Sequence, residues 1–119
     1  MAGPALFSVL PVAQESLFMP AYLIVTATIS DREAFLSGYG AKAAALVEKF
    51  GGTYKMRAPG ATLLEGGFGD GGSVVISEWP DKETALAFWN SPEYSEAKSL
   101  RQGVADCQVL LIEAPAISG

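Results

Sequence analysis

The sequence predicts an α+β domain: a mostly antiparallel sheet whose helices all lie on one face. Three observations carry this. Apolar and β-branched runs at Tyr22–Ile29, Val74–Ile76 and Ala105–Glu113 read as strands, separated by segments whose apolar residues recur at helical spacing. Glycine and proline punctuate the gaps between these segments, at Gly51-Gly52, Gly66–Gly72, Pro80 and Ser91-Pro92. With 119 residues, 50% hydrophobic and 18% charged, the chain suits one domain around one core. The order is β-α-β-β-α-β with the second helical element in two pieces, the split β-α-β or ferredoxin-like arrangement.

Residues 1–18 (MAGPALFSVLPVAQESLF) differ in character from the rest of the chain. They hold no Lys or Arg to start a secretory signal, and Pro4 and Pro11 interrupt the apolar run. They are expected to be an N-terminal extension, disordered or left by an over-called start, with Met19-Pro20 as a second start and Leu6–Leu10 available to a sheet edge. The compact domain is expected over residues 19–114, and a fraying tail over 115–119.

In the first strand Leu23, Val25, Ala27 and Ile29 share one face, and Tyr22, Ile24, Thr26 and Thr28 the other. Ser30 and Glu33 have capping-box spacing and are expected to open a long helix with Phe35, Tyr39, Ala43, Leu46, Val47 and Phe50 on its buried side. Gly38 and Gly40 each cost that helix about 1 kcal/mol relative to Ala, and predict a kink or the close approach of another backbone. Lys49 and Gly51-Gly52 end it. Thr53–Arg57 is the second strand; Ala58-Pro59-Gly60 breaks it, and Ala61–Gly66 is expected to resume the same edge strand past a bulge. The Gly66–Gly72 connection lacks the lysine and following helix of a phosphate-binding loop.

The central strand from Val74 stops at Pro80, which has no N–H for a ladder. Asp81 is placed as an N-cap with Glu83 in the first turn, and Ala85, Leu86 and Trp89 form a buried stripe. Ser91-Pro92 restarts the chain as N-cap and first helical residue. Tyr94, Ala97, Lys98 and Arg101 then share one face, and Gly103 closes the element. The last strand alternates Val109 and Leu111 against Leu110 and Ile112.

Composition excludes several functions. A net charge of −5 and a pI near 4.6 leave no basic stripe for phosphates, so nucleic acid is not an expected partner. No apolar run approaches the roughly 20 residues of a membrane helix. Cys107 is alone, which points to a reducing, cytoplasmic compartment and no disulfide framework. The complete lack of histidine removes the commonest general base and metal ligand and every Ser-His or Cys-His pair. No cofactor is expected, and no metal site, since one would have to be built from carboxylates alone.

If helices cover one face only, some half-dozen apolar side chains of the first, third and last strands remain on the other. Leaving them in water would forfeit roughly 1.5–3 kcal/mol each, about 10 kcal/mol together, which rivals the stability of a whole domain. The expected cover is a second copy in two-fold symmetry, a homodimer packed sheet on sheet.

Phe50-Gly51-Gly52, Leu64-Glu65-Gly66, Glu78-Trp79-Pro80, Ser91-Pro92-Glu93-Tyr94 and Leu100-Arg101 succeed one another in the order and at the distances of a known family. Over Met19 to Ala114 the chain resembles domain-of-unknown-function family 1330, of the dimeric α+β barrel superfamily. The resemblance implies a ferredoxin-like dimer and brings no known reaction. Superfamily relatives include cofactor-free monooxygenases and lactone isomerases, an analogy of fold alone. The chain departs from the family pattern at Gly67–Ser73, which is longer and lacks the usual basic residue.

Arg57 lies where the family pattern also has an arginine. With Tyr39, Tyr94, Lys98 and Arg101 it would make a cationic, phenol-lined cleft between sheet and helices, suited to a small organic anion held by a guanidinium fork and tyrosine hydrogen bonds. The alternative is structural: Arg57 paired with Glu65 or Glu78 across the sheet, and Tyr39 and Tyr94 as core rings. Glu65 and Glu78 are the candidate general bases, if burial raises a carboxylate, or else edge carboxylates. Trp79, Phe88 and Trp89 read as core or interface aromatics, and Cys107 as a small buried hydrophobe. Two functions fit these residues: binding, with or without cofactor-free conversion, of a small organic anion, or a non-catalytic dimeric module for a metabolite or a protein.

Overall fold

The computed structural model describes residues 19–115. The expected extension over 1–18, with its Leu6–Leu10 segment, and the tail from residue 116 lie outside the described residues. Four strands, β1 (Ala21–Ile29), β2 (Thr53–Ala58), β3 (Ser73–Trp79) and β4 (Ala105–Glu113), form one sheet in the order β2-β3-β1-β4. Every neighbouring pair is antiparallel. This is the ferredoxin-like topology, with β1 and β3 at its centre.

Between β1 and β2 runs one helical segment, α1, in three parts: Arg32–Ala34, a π-helical stretch Phe35–Gly40, and Ala41–Lys49. Its cap is Asp31, whose Oδ1 accepts the Ala34 N–H at 3.1 Å. The expected Ser30–Glu33 box does not form, because the Ser30 hydroxyl and N–H both donate to the Val104 carbonyl and tie the end of β1 to the approach of β4. The two glycines of α1 mark the π-helical stretch. No other element crowds them: a Cβ on Gly38 would meet nothing within 4 Å, and one on Gly40 only α1's own Phe35 and Leu36.

Ala61–Gly66 is not a strand. Pro59 ends β2, Gly60 turns the chain at φ +79°, and the connection to β3 is pinned on itself: Ala61 N–H to Gly72 O at 2.9 Å, Gly71 N–H to Ala61 O at 2.7 Å, and Leu63 N–H to Asp70 Oδ1 at 3.0 Å. The bulge lies earlier, inside β2, between Tyr54 and Met56.

After β3, α2 (Lys82–Trp89) is capped by Asp81, which accepts the Thr84 N–H at 2.7 Å. The Thr84 hydroxyl, and then its N–H, hold the Asp81 carboxyl below its usual range. The buried Ser91 hydroxyl accepts the Tyr94 N–H at 3.0 Å and donates to the Phe88 carbonyl at 2.8 Å, closing α2 and opening α3 (Pro92–Ser99) with one side chain.

The core gathers Ala21, Leu23, Val47, Trp79, Ala85, Phe88, Tyr94 and Ala97. Trp79 is fully buried and donates Nε1–H to the Ser77 hydroxyl at 2.9 Å. Its ring lies against the backbone of Gly52, where an added Cβ would stand 2.6 Å from it. Only glycine fits that step into β2.

Register separates the two sheet faces. Leu23, Val25, Val75, Ser77 and Val109 face the helices. The other face carries Ile24, Val74, Ile76, Met56, Leu110 and Ile112, the last three 47%, 56% and 52% exposed. The uncovered apolar surface expected from the sequence is therefore present.

Candidate functional site

A cavity of about 390 Å³ lies between the covered sheet face and α1. Its walls are Leu23, Val25, Val75 and Val109 from the sheet, Phe35, Ala43 and Val47 from α1, and Trp89 from the end of α2. Both α1 and β3 run along it. Exposed Arg32, Arg57 and Pro59 stand at one end, and buried Leu23, Val47 and Ser77 at the other. Three phenols line it, Tyr39, Tyr54 and Tyr94. Among the described residues no carboxylate does.

The bulge decides where the charge of β2 goes. Strict alternation puts residues three apart on opposite faces. Here Tyr54 opposes Ser77 and Arg57 opposes Val75, so the extra residue, Lys55, returns both Tyr54 and Arg57 to the covered face. The Arg57 guanidinium lies 4.6 Å from the centre of the Tyr54 ring, a cation–π contact that seats it at the cavity.

Deeper in, the hydroxyls of Tyr39 and Tyr94 stand 2.6 Å apart, with their rings edge-on. Tyr39 comes from the π-helical stretch, and Tyr94 is fixed by the Ser91 cap at the start of α3. Burial pushes the Tyr39 phenol well above its ordinary range and raises that of Tyr94, and pushes Tyr54 up as well against the opposing pull of Arg57. All three are neutral hydroxyls in the physiological range: hydrogen-bonding groups and not bases.

Residues 20–115 match the family model described as Domain of unknown function (DUF1330). The chain belongs to this family. Among solved structures, it is similar to the RPA0582 protein of unknown function from Rhodopseudomonas palustris, at 19% identity and TM-score 0.68 over 89% of this chain and 92% of that one. SnoaB, a cofactor-independent oxygenase from Streptomyces nogalater, aligns at 16% identity and TM-score 0.61 over 83% and 96%. A dimeric protein of unknown function and ferredoxin-like fold from Bacteroides fragilis aligns at 16% identity and TM-score 0.50 over 80% and 96%. At such identities the likeness shows the fold alone. Among curated proteins, none matches the chain in sequence.

In this DUF1330 domain the cavity gathers three of the candidate residues, Arg57, Tyr39 and Tyr94. Arg101 and Lys98 do not line it. Each sits over a ring that does, Arg101 5.2 Å from the centre of Tyr39 and Lys98 4.7 Å from that of Trp89. The two carboxylates are elsewhere. Glu65 is exposed on the β2–β3 connection. Glu78 comes directly after Ser77 and so points to the opposite sheet face, where it accepts the Tyr22 hydroxyl at 2.8 Å and pairs with Lys55 Nζ at 3.5 Å. The sequence placed both as candidate bases and as partners of Arg57; alternation and the altered path after Pro59 put them out of reach of the cavity. Tyr54, Trp89 and Arg32 line the cavity without having been singled out as ligand contacts. Tyr54 becomes legible only once the bulge is known. Among the described residues no cluster of three His, Cys, Asp or Glu side chains is arranged to hold a metal.

Proposed function

We propose that this DUF1330 domain binds a small, flat, largely apolar organic anion in the cavity between sheet and α1, as a cytoplasmic homodimer joined through its open sheet face. One observation carries the ligand reading. In a chain of net charge −5, the open end of the cavity carries Arg32 and Arg57 and, among the described residues, no carboxylate. The volume suits a small molecule, the walls suit a ring, and a guanidinium suits a carboxylate. The dimer rests on the half-exposed Met56, Leu110 and Ile112, and draws support from the dimeric Bacteroides fragilis neighbour. No described helix is long and apolar enough to cross a membrane, and the lone Cys107 favours a reducing compartment.

Binding is favoured over conversion by the placement of the bases. The likeness to SnoaB motivates a cofactor-free reaction, but proton abstraction needs a base at the ligand, and Glu65 and Glu78 are not there.

The test is a thermal-shift comparison of benzoate with benzamide. Benzoate raises the melting temperature, benzamide does so less, and Arg57→Ala removes most of the difference. Equal shifts from the acid and the amide, or a benzoate shift untouched by Arg57→Ala, would remove the anion site.

A further inference from the structure

The deep end of the cavity has a hydrogen-bond account that does not close. Tyr39 and Tyr94 bring two O–H donors to one 2.6 Å contact, and only one hydrogen can lie between the two oxygens. Both groups are held neutral by burial, so neither proton is given up to water. Tyr94 is 2% exposed and Tyr39 partly buried against the core, and no other side-chain or backbone acceptor bonds either hydroxyl among the described residues. One donor is therefore left over, in a space lined by Trp89, Tyr54 and Phe35. A buried donor without an acceptor is costly, and a ligand that supplies the acceptor recovers that cost. Arg101, centred over the Tyr39 ring, draws electron density from it and strengthens the phenol as a donor.

We propose that the Tyr39–Tyr94 hydroxyl pair is a second recognition point, reading a neutral acceptor such as a carbonyl oxygen on the end of the ligand opposite its carboxylate. This rests on the proposed anion site and narrows it: the ligand is a ring-bearing acid with a keto group at its far end. The spacing agrees. From Arg32 to Tyr39 is seven residues of α1, roughly 10 Å of rise, so that arginine and tyrosine side chains reaching inward leave room for about one ring.

The test uses two probes of nearly equal shape, 4-acetylbenzoate and 4-isopropenylbenzoate, the second carrying C=CH2 where the first has C=O. Calorimetric titration of the wild-type protein is expected to give about tenfold tighter binding of the ketone. The double variant Tyr39→Phe/Tyr94→Phe, which keeps both rings, is expected to bind the two probes equally and the isopropenyl acid as the wild type does. Equal affinities in the wild type, or a ketone preference that survives the double variant, would overturn the inference while leaving the anion site standing. If neither acid binds the wild type, the anion site falls and this inference with it.

Discussion

The two faces of one sheet are built for different company. On the covered face, aliphatic side chains alternate with tyrosine and serine, and the space above them is not filled: about 390 Å³ stays open beneath α1. On the other face, Ile24, Val74, Ile76, Met56, Leu110 and Ile112 make an aliphatic patch between two polar ends: one where Tyr22, Glu78 and Lys55 satisfy one another, and one with Thr26, Thr28, Asp106 and Gln108. Groups with spare hydrogen-bonding capacity suit an occupant that comes and goes. An exposed aliphatic patch suits a partner that stays.

Charging the open face should have the largest effect. Leu110→Asp with Ile112→Asp is expected to weaken self-association more than a hundredfold, read by light scattering, with far-UV circular dichroism unchanged; a wild type that scatters as a monomer at micromolar concentration breaks the contrast at once. On the covered side, Gly52→Ala drives a methyl into the fully buried Trp79, and urea melts should show a loss of about 2–3 kcal/mol. Ser91→Ala removes both the cap of α3 and the closure of α2, for about 1–2 kcal/mol by the same measurement.

Alkaline titration sharpens the contrast from another side. All four tyrosines have phenols raised above the ordinary value near 10, and the unfolded chain ionises first. Their contribution to stability is full below about pH 10 and is lost as pH climbs beyond it, so phenolate absorbance should lag a free-tyrosine curve and then rise together with unfolding. The smallest effect belongs to Thr26 on the open face, whose buried Oγ1 has no partner; Thr26→Val should change stability by less than about 1 kcal/mol, and in the stabilising direction.

Much of the fold was legible in the residues alone. Alternation in β1 and β4 assigns each residue to its face. Asp81 and Ser91-Pro92 cap the helices where the sequence places them, because short polar side chains before an apolar stripe have one good use there. The misses share a cause. Ser30 forms no capping box since a distant carbonyl, Val104, takes its hydroxyl. Ala61–Gly66 does not resume a strand because the connection bonds to itself. The candidate site was half legible for the same reason: residue type singled out Arg57, Tyr39 and Tyr94, but which groups share a cavity depends on register, and register turned on one bulge.

Lys55 is thus the residue β2 can spare. A chain lacking it would run straight through that point with the guanidinium and the phenol still on the same side, losing only the surface pair with Glu78. An insertion between Met56 and Arg57 would instead expel the arginine to the far surface and empty the mouth of one of its two positive charges. Relatives one residue shorter in this strand should be aligned with the gap at Lys55. Relatives one residue longer between Met56 and Arg57 should lack that arginine at the cavity.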